Sequence, residues 1–188
     1  MIYDVAEHLP TDSGPAMQMF SDPGIVAREG ALIRRFGWEI VAISLHLDRL
    51  HGFQAHVFGI SVPQFKIIAT LAHAGAGMPV TAVSRVLHVA PSFVTTQSKA
   101  LEKKGLVCRE PSVDDARIVN MSLTAKTHAL LSALASQQRI VDDFISVEFG
   151  SGELEALTGK LAVLKRKLEK ACLKVAADLE IGPTPSQT

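Results

Sequence analysis

The side chains best suited to chemistry gather between residues 91 and 117. A segment over 91–104 carries Ser92, Thr95, Thr96, Gln97 and Lys99 within two turns of helix. At helical spacing, Phe93, Val94 and Leu101 turn toward a core, helped by the small Ala100. Ser92, Thr95, Thr96 and Lys99 then face outward, with Gln97 on the flank. Hydroxyls, an amide and an ammonium group donate hydrogen bonds to anionic oxygens and to planar acceptor edges without steric bulk. Farther on, Arg117 follows Asp115 in a polar stretch over 111–117. This pattern provides a long guanidinium held by a nearby carboxylate.

Other chemistries find no support. His46, His51 and His56 are interrupted by Gly52 and do not share one helix face, and no Cys lies near them, so no metal site is expected. Cys108 and Cys172 are the two cysteines, too few for a disulfide framework and in keeping with a reducing, cytoplasmic setting. No phosphate-cradling Gly-rich loop, acid–base dyad or activated nucleophile emerges, so neither an enzyme nor a cofactor is expected. The longest apolar runs fall short of a membrane span, and the first ten residues lack the basic and apolar regions of a signal peptide.

The elements that must position these residues follow from periodicity and punctuation. Residues 1–28, with Pro10, Gly14, Pro15, Pro23 and Gly24, read as an N-terminal arm. A helix over 29–50 carries Leu32, Phe36, Ile40, Ile43, Leu47 and Leu50 on one face; Gly52 should end it, leaving a connection to residue 60. Ser61-Val62-Pro63-Gln64 is a capping box with Pro in the first turn, opening a helix to about Ala74. Gly75-Ala76-Gly77 stops it. A short helix follows Pro79 and ends near His88; a third opens at Pro91 and closes before Gly105. Strands are expected over 106–110 and 118–123, flanking the polar loop as a hairpin. Helix resumes after Thr124 to about Phe149. A last helix from Ser151 carries a heptad-like seam of Leu154, Leu157, Leu161, Leu164, Leu168, Ala171 and Val175.

Three short helices and a hairpin are the parts of a winged helix-turn-helix. The expected fold is therefore mainly α with a small β hairpin: a winged helix-turn-helix over 61–123 flanked by N- and C-terminal helices. Within it, residues 61–124 resemble the winged-helix core of the MarR family of transcriptional regulators. The resemblance rests on Ser61-Val62-Pro63-Gln64-Phe65, Pro91-Ser92-Phe93-Val94-Thr95 and Leu101-Glu102-Lys103-Lys104-Gly105-Leu106-Val107. It continues through Arg109, Asp115-Ala116-Arg117 and Ser122-Leu123-Thr124. More weakly, Ala31-Leu32-Ile33-Arg34-Arg35 and Glu153-Leu154-Glu155-Ala156-Leu157 resemble the starts of the family's first and last helices.

The resemblance implies a homodimer that grips pseudo-palindromic double-stranded DNA. Helices over 29–60 and 124–180 would dimerise it, with 181–188 a tail. The recognition helix would bring Ser92, Thr95, Thr96, Gln97 and Lys99 to the major groove, and Arg117, supported by Asp115, would enter the minor groove. Many members are repressors released by a small aromatic or phenolic acid. Arg34, Arg35 and Trp38 are the candidates to hold such a ligand, a guanidinium pairing with the carboxylate beside an aromatic wall. The same residues also suit a dimer interface or a surface. Oxidant-sensing members place a reactive cysteine in the first helix region, where this chain has none. Three departures stand out: Thr96 where Arg or Lys is common, His88 at a turn position usually held by Gly, and Ala90 where Ser commonly caps the recognition helix. A winged-helix protein-interaction module and a constitutive DNA binder without a ligand remain alternatives.

Charge is the remaining bound. Lys and Arg total 19, as do Asp and Glu, which excludes a polybasic coat. Between residues 60 and 123, however, seven basic residues stand against four acidic ones. The excess sits in the segment expected to meet phosphates, and it favours a matched site over broad non-specific affinity.

Overall fold

Helix α1 spans Pro23–Phe58 in the computed structural model, which describes residues 23–179. The helix is longer at both ends than periodicity predicts. Pro23 suits a first turn, where its missing N–H costs no hydrogen bond, so helix replaces the end of the expected arm; residues 1–22 lie outside the described residues. The expected stop at Gly52 does not occur. A mid-helix Gly costs about 1 kcal/mol relative to Ala. Continuing the helix buries Ala55 and Phe58, and Phe58 meets Phe65 edge-on with ring centroids 5.5 Å apart. That burial offsets the glycine, and the turn out of the helix comes instead at Gly59, with φ 61°.

The chain divides into two units, the first ending at Leu50 and the second beginning at His51. In the first, α1 exposes Leu32, Ile33, Phe36, Trp38, Ile43 and Leu45 on several sides.

The second unit holds the winged helix. Helix α2 (Val62–Ala74) opens at Ser61 with the predicted capping box, in which the Ser61 N–H donates to Gln64 Oε1 at 3.2 Å. It ends at Gly75, with φ 67°. Strand β1 (Met78–Pro79) follows, too short to show in the sequence pattern. Helix α3 (Val80–Leu87) and helix α4 (Pro91–Lys103) form the helix-turn-helix. Strands β2 (Val107–Pro111) and β3 (Val119–Leu123) start one residue later than expected and form the hairpin. The sheet is antiparallel in the order β1-β3-β2, with Met78 opposite Met121 and Val107 opposite Leu123.

The core lies between this sheet and the helices. Phe65, Ile67, Ile68 and Leu71 of α2 join Val83 of α3, Val94 and Leu101 of α4, and Val107 and Met121 of the hairpin. Thr124 then caps helix α5 (Ala125–Ala133), accepting from the Thr127 N–H at 3.3 Å. Buried Thr127 in turn donates its hydroxyl to the Leu106 carbonyl. The single helix expected to Phe149 is broken: helix α6 (Ala135–Glu148) restarts after Leu134, which is buried in the core. Helix α7 (Ser151–Asp178) leaves Leu157, Leu161, Leu168 and Val175 exposed along its seam. Among the described residues, no single helix is long and apolar enough to cross a membrane.

His88 occupies the turn between α3 and α4 with φ 52° and ψ 44°, the left-handed conformation that an L side chain resists. His88→Gly should therefore stabilise the second unit by about 1 kcal/mol, read as a raised urea midpoint at unchanged slope. A lowered midpoint would show that the imidazole contributes more than its backbone strain costs.

Candidate nucleic-acid interface

Helix α4 is fixed from three sides. Val94, Ser98 and Leu101 are fully buried beneath it. At its flank, Gln64 Nε2 of α2 donates to Gln97 Oε1 at 3.1 Å. From the sheet, Arg109 Nη1 donates to the Thr95 carbonyl at 3.2 Å. At its C-terminal end, Lys126 Nζ donates to the Lys104 carbonyl at 2.9 Å, while Lys104 Nζ reaches the Gly59 carbonyl at 2.6 Å. Cations at helix C-termini complement the negative end of the dipole. Together these contacts hold the helix rigidly while leaving its far face open.

That far face is the predicted one. Ser92, Thr96 and Lys99 are exposed, and Thr95 and Gln97 are half-buried at the two margins. Thr96 donates its hydroxyl to the Ser92 carbonyl at 3.0 Å, so its oxygen lone pairs and methyl face solvent. One assignment is corrected. Phe93 is 38% exposed rather than part of the core, and Ser98 takes the inward position, donating to the Thr95 carbonyl at 3.2 Å. Close approach of α4 to the layer beneath leaves room for a small residue, and the hydroxyl is satisfied within its own helix.

The wing is equally ordered by its own bonds. Ser112 N–H donates to the Ile118 carbonyl at 2.7 Å, and Ile118 N–H to the Asp115 carbonyl at 2.9 Å. Asp115 Oδ1 accepts from the Arg117 backbone N–H at 2.9 Å. The carboxylate thus shapes the turn rather than pairing with the guanidinium, which lies on an exposed residue. This is a self-bonded Asp turn, and it aims Arg117 outward.

Arg109 is the positioning residue whose role the pattern understated. Strand alternation places it on the same face as Val107, toward α4, and its Nε is buried with no hydrogen-bond partner among the described residues. Cys108, on the opposite face, donates its thiol to Glu110 Oε1 at 3.3 Å. That hydrogen bond to a carboxylate pushes the Cys108 thiol above its ordinary value, away from a reactive thiolate. Cys172 is exposed on α7. No cluster of His, Cys, Asp and Glu able to hold a metal occurs among the described residues.

Arg34, Arg35 and Trp38 are all exposed on α1, Trp38 at 69%. A depression elsewhere, lined by Leu71, Gly75, Gly77, Ser122 and His128, has a volume of about 120 Å³. That is smaller than the pockets that enclose drug-sized ligands.

A helix-turn-helix with a presented second helix, closed by a three-stranded sheet with a projecting hairpin, is a winged helix-turn-helix. Comparison with known proteins narrows the class. Residues 60–119 match the MarR family, so the winged-helix part of the chain is similar to that family's domain. A relative, the HTH-type transcriptional repressor MdtR of Bacillus subtilis, is 29% identical over 119 residues, covering 62% of this chain and 76% of its own. Among solved structures, S. aureus MepR in its DNA-binding conformation has a TM-score of 0.62 at 20% identity, over 71% of this chain and 98% of MepR. A mutant MarR from E. coli, complexed with operator DNA, has a TM-score of 0.56 at 22% identity, over 70% and 94% of the two chains. These structural likenesses establish the shared fold.

Proposed function

We propose that the protein is a non-enzymatic transcriptional regulator that binds double-stranded DNA as a homodimer and acts as a repressor. The observation that carries this reading is the exposed Ser92, Thr96 and Lys99 face on a helix fixed from three sides, beside a wing that presents Arg117. The relative named as a repressor and the MarR structure with operator DNA support it. Lys99 and Arg117 neutralise phosphate or groove potential, and the hydroxyls reach base edges. A second copy of the chain covers the apolar surfaces of α1 and α7, and the two recognition helices read half-sites about 34 Å apart.

A small aromatic or phenolic acid releases the DNA in this reading. Arg34 or Arg35 supplies the guanidinium and Trp38 the apolar wall. Such a ligand acts only through its difference in affinity between the DNA-competent arrangement and the other. Selection from a randomised duplex library tests the main claim. Enrichment of two-fold-related half-sites spaced by about ten base pairs is expected; recovery of no common sequence would remove sequence-specific DNA binding.

A further inference from the structure

The amide of Gln97 is oriented by a residue outside the recognition helix. The Ser61 backbone N–H can only donate, so the Gln64 atom that it meets at 3.2 Å is Oε1. The other end of the Gln64 amide is therefore its NH2 group, and the Gln97 atom 3.1 Å away is the acceptor Oε1. A backbone donor thus fixes both amides in sequence, Ser61 to Gln64 to Gln97. Gln97 Nε2 makes no hydrogen bond to a described residue, and it is not among the buried polar atoms left without a partner. It is the open end of the chain.

We infer that Gln64 is a specificity-setting positioning residue: by donating to Gln97 Oε1 it fixes that amide with its oxygen held toward Gln64 and its NH2 donors at the open end. This rests on the DNA-binding reading above. A glutamine with both amide ends free reads adenine through a donor and an acceptor at once. With Oε1 held toward Gln64, the Gln97 amide presents its NH2 end. It is matched instead to acceptors: guanine O6 and N7, thymine O4, or a phosphate oxygen.

Gln64→Glu reverses the arrangement. A glutamate at this position keeps the capping box, accepting from the Ser61 N–H. Its second oxygen accepts from Gln97 Nε2, so the Gln97 amide turns over and presents Oε1. Contacts to acceptors are lost, and contacts to cytosine N4 or adenine N6 become available.

The test compares wild type, Gln64→Glu and Gln97→Met by selection from a randomised duplex library, with matched melting curves to confirm folding. If Gln97 meets a base edge, the preferred base at one position in each half-site changes in Gln64→Glu by about fivefold and becomes indifferent in Gln97→Met. If it meets phosphate, Gln64→Glu loses affinity for all sequences equally and by more than Gln97→Met does. Either pattern supports the inference. Wild-type preference and affinity in Gln64→Glu overturn it.

Side-chain amide NMR reads the orientation without DNA, with Gln97→Met assigning the resonances. One Gln97 amide proton should move downfield in Gln64→Glu as it becomes hydrogen-bonded; unmoved resonances overturn the inference. Failure of the wild-type protein to select any DNA removes the functional reading, while the NMR result still decides the orientation.

Discussion

Arg117→Ala is expected to weaken binding to a selected duplex by about ten- to a hundredfold while leaving the melting temperature unchanged. The reason is geometric. The wing turn is made by backbone bonds among Ser112, Asp115 and Ile118 and by the Asp115 carboxylate accepting from the Arg117 N–H, and the Arg117 side chain takes no part in them. Removing it leaves the wing intact and deletes one positive charge per protomer. If the guanidinium enters a narrow minor groove, the loss concentrates on duplexes with A·T-rich flanks. If it rests on phosphate, the loss is uniform, and the slope of log affinity against log salt falls by about 1 per contact. Fluorescence anisotropy across a salt series separates the two. Wild-type affinity in Arg117→Ala would remove the wing from the interface. Asp115→Ala should cost less, since it loosens the turn without removing the charge.

Leu161→Glu combined with Leu168→Glu is expected to make the protein monomeric and to lower DNA affinity at least about a hundredfold. Both leucines lie exposed on the α7 seam, as do Leu157 and Val175. A contiguous apolar stripe of this kind seldom remains in water, and burying each leucine is worth about 1.5–3 kcal/mol. Two carboxylates in that stripe lose this burial and add like-charge repulsion across a two-fold axis. The loss propagates to DNA because linking two weak half-site contacts makes the second effectively intramolecular. Sedimentation equilibrium reads the association, and anisotropy reads the binding. A double variant that remains dimeric would place the interface elsewhere. A monomer with undiminished affinity would separate dimerisation from DNA recognition.

Much of this arrangement is legible in the sequence because local signals and global packing agree. The capping box at Ser61, the Pro91 helix start and the Gly105 stop, with φ 67°, mark the winged-helix elements, and the Leu101 to Val107 run ties them to a family. The departure at His88 is equally readable, and the residue adopts the left-handed conformation that the motif requires. Disagreements arise where tertiary burial overrides a local rule. Gly52 does not end α1, because Ala55 and Phe58 are drawn into the core beyond it. At Leu134 the expected single helix is divided by one turn residue that keeps right-handed dihedrals, φ −81° and ψ −5°, too slight a break for periodicity to show. Phe93 stays partly exposed, and Ser98 takes an inward position, because inter-helix spacing, which periodicity does not encode, decides which side chain fits.

The candidate site divides in the same way. The identities of Ser92, Thr96, Lys99 and Arg117 follow from helical angle and loop position. The contacts that hold them come from residues distant in sequence: Arg109 on the Thr95 carbonyl, Gln64 on Gln97 and Lys126 on the Lys104 carbonyl. No one-dimensional pattern announces such pairs. The role of Asp115 also changes, from partner of a guanidinium to builder of the turn that aims it.

The central claim is that a chain of zero net charge reads DNA through a small, rigidly held face and a wing. Anisotropy titration of a selected pseudo-palindromic duplex against a scrambled duplex of equal length, from about 50 to 200 mM salt, tests it most directly. The account predicts saturation at two protomers per duplex, affinity that falls steeply with salt, and at least about a thousandfold preference for the selected sequence. Equal, unsaturable binding of the two duplexes, or no binding to either, would contradict it.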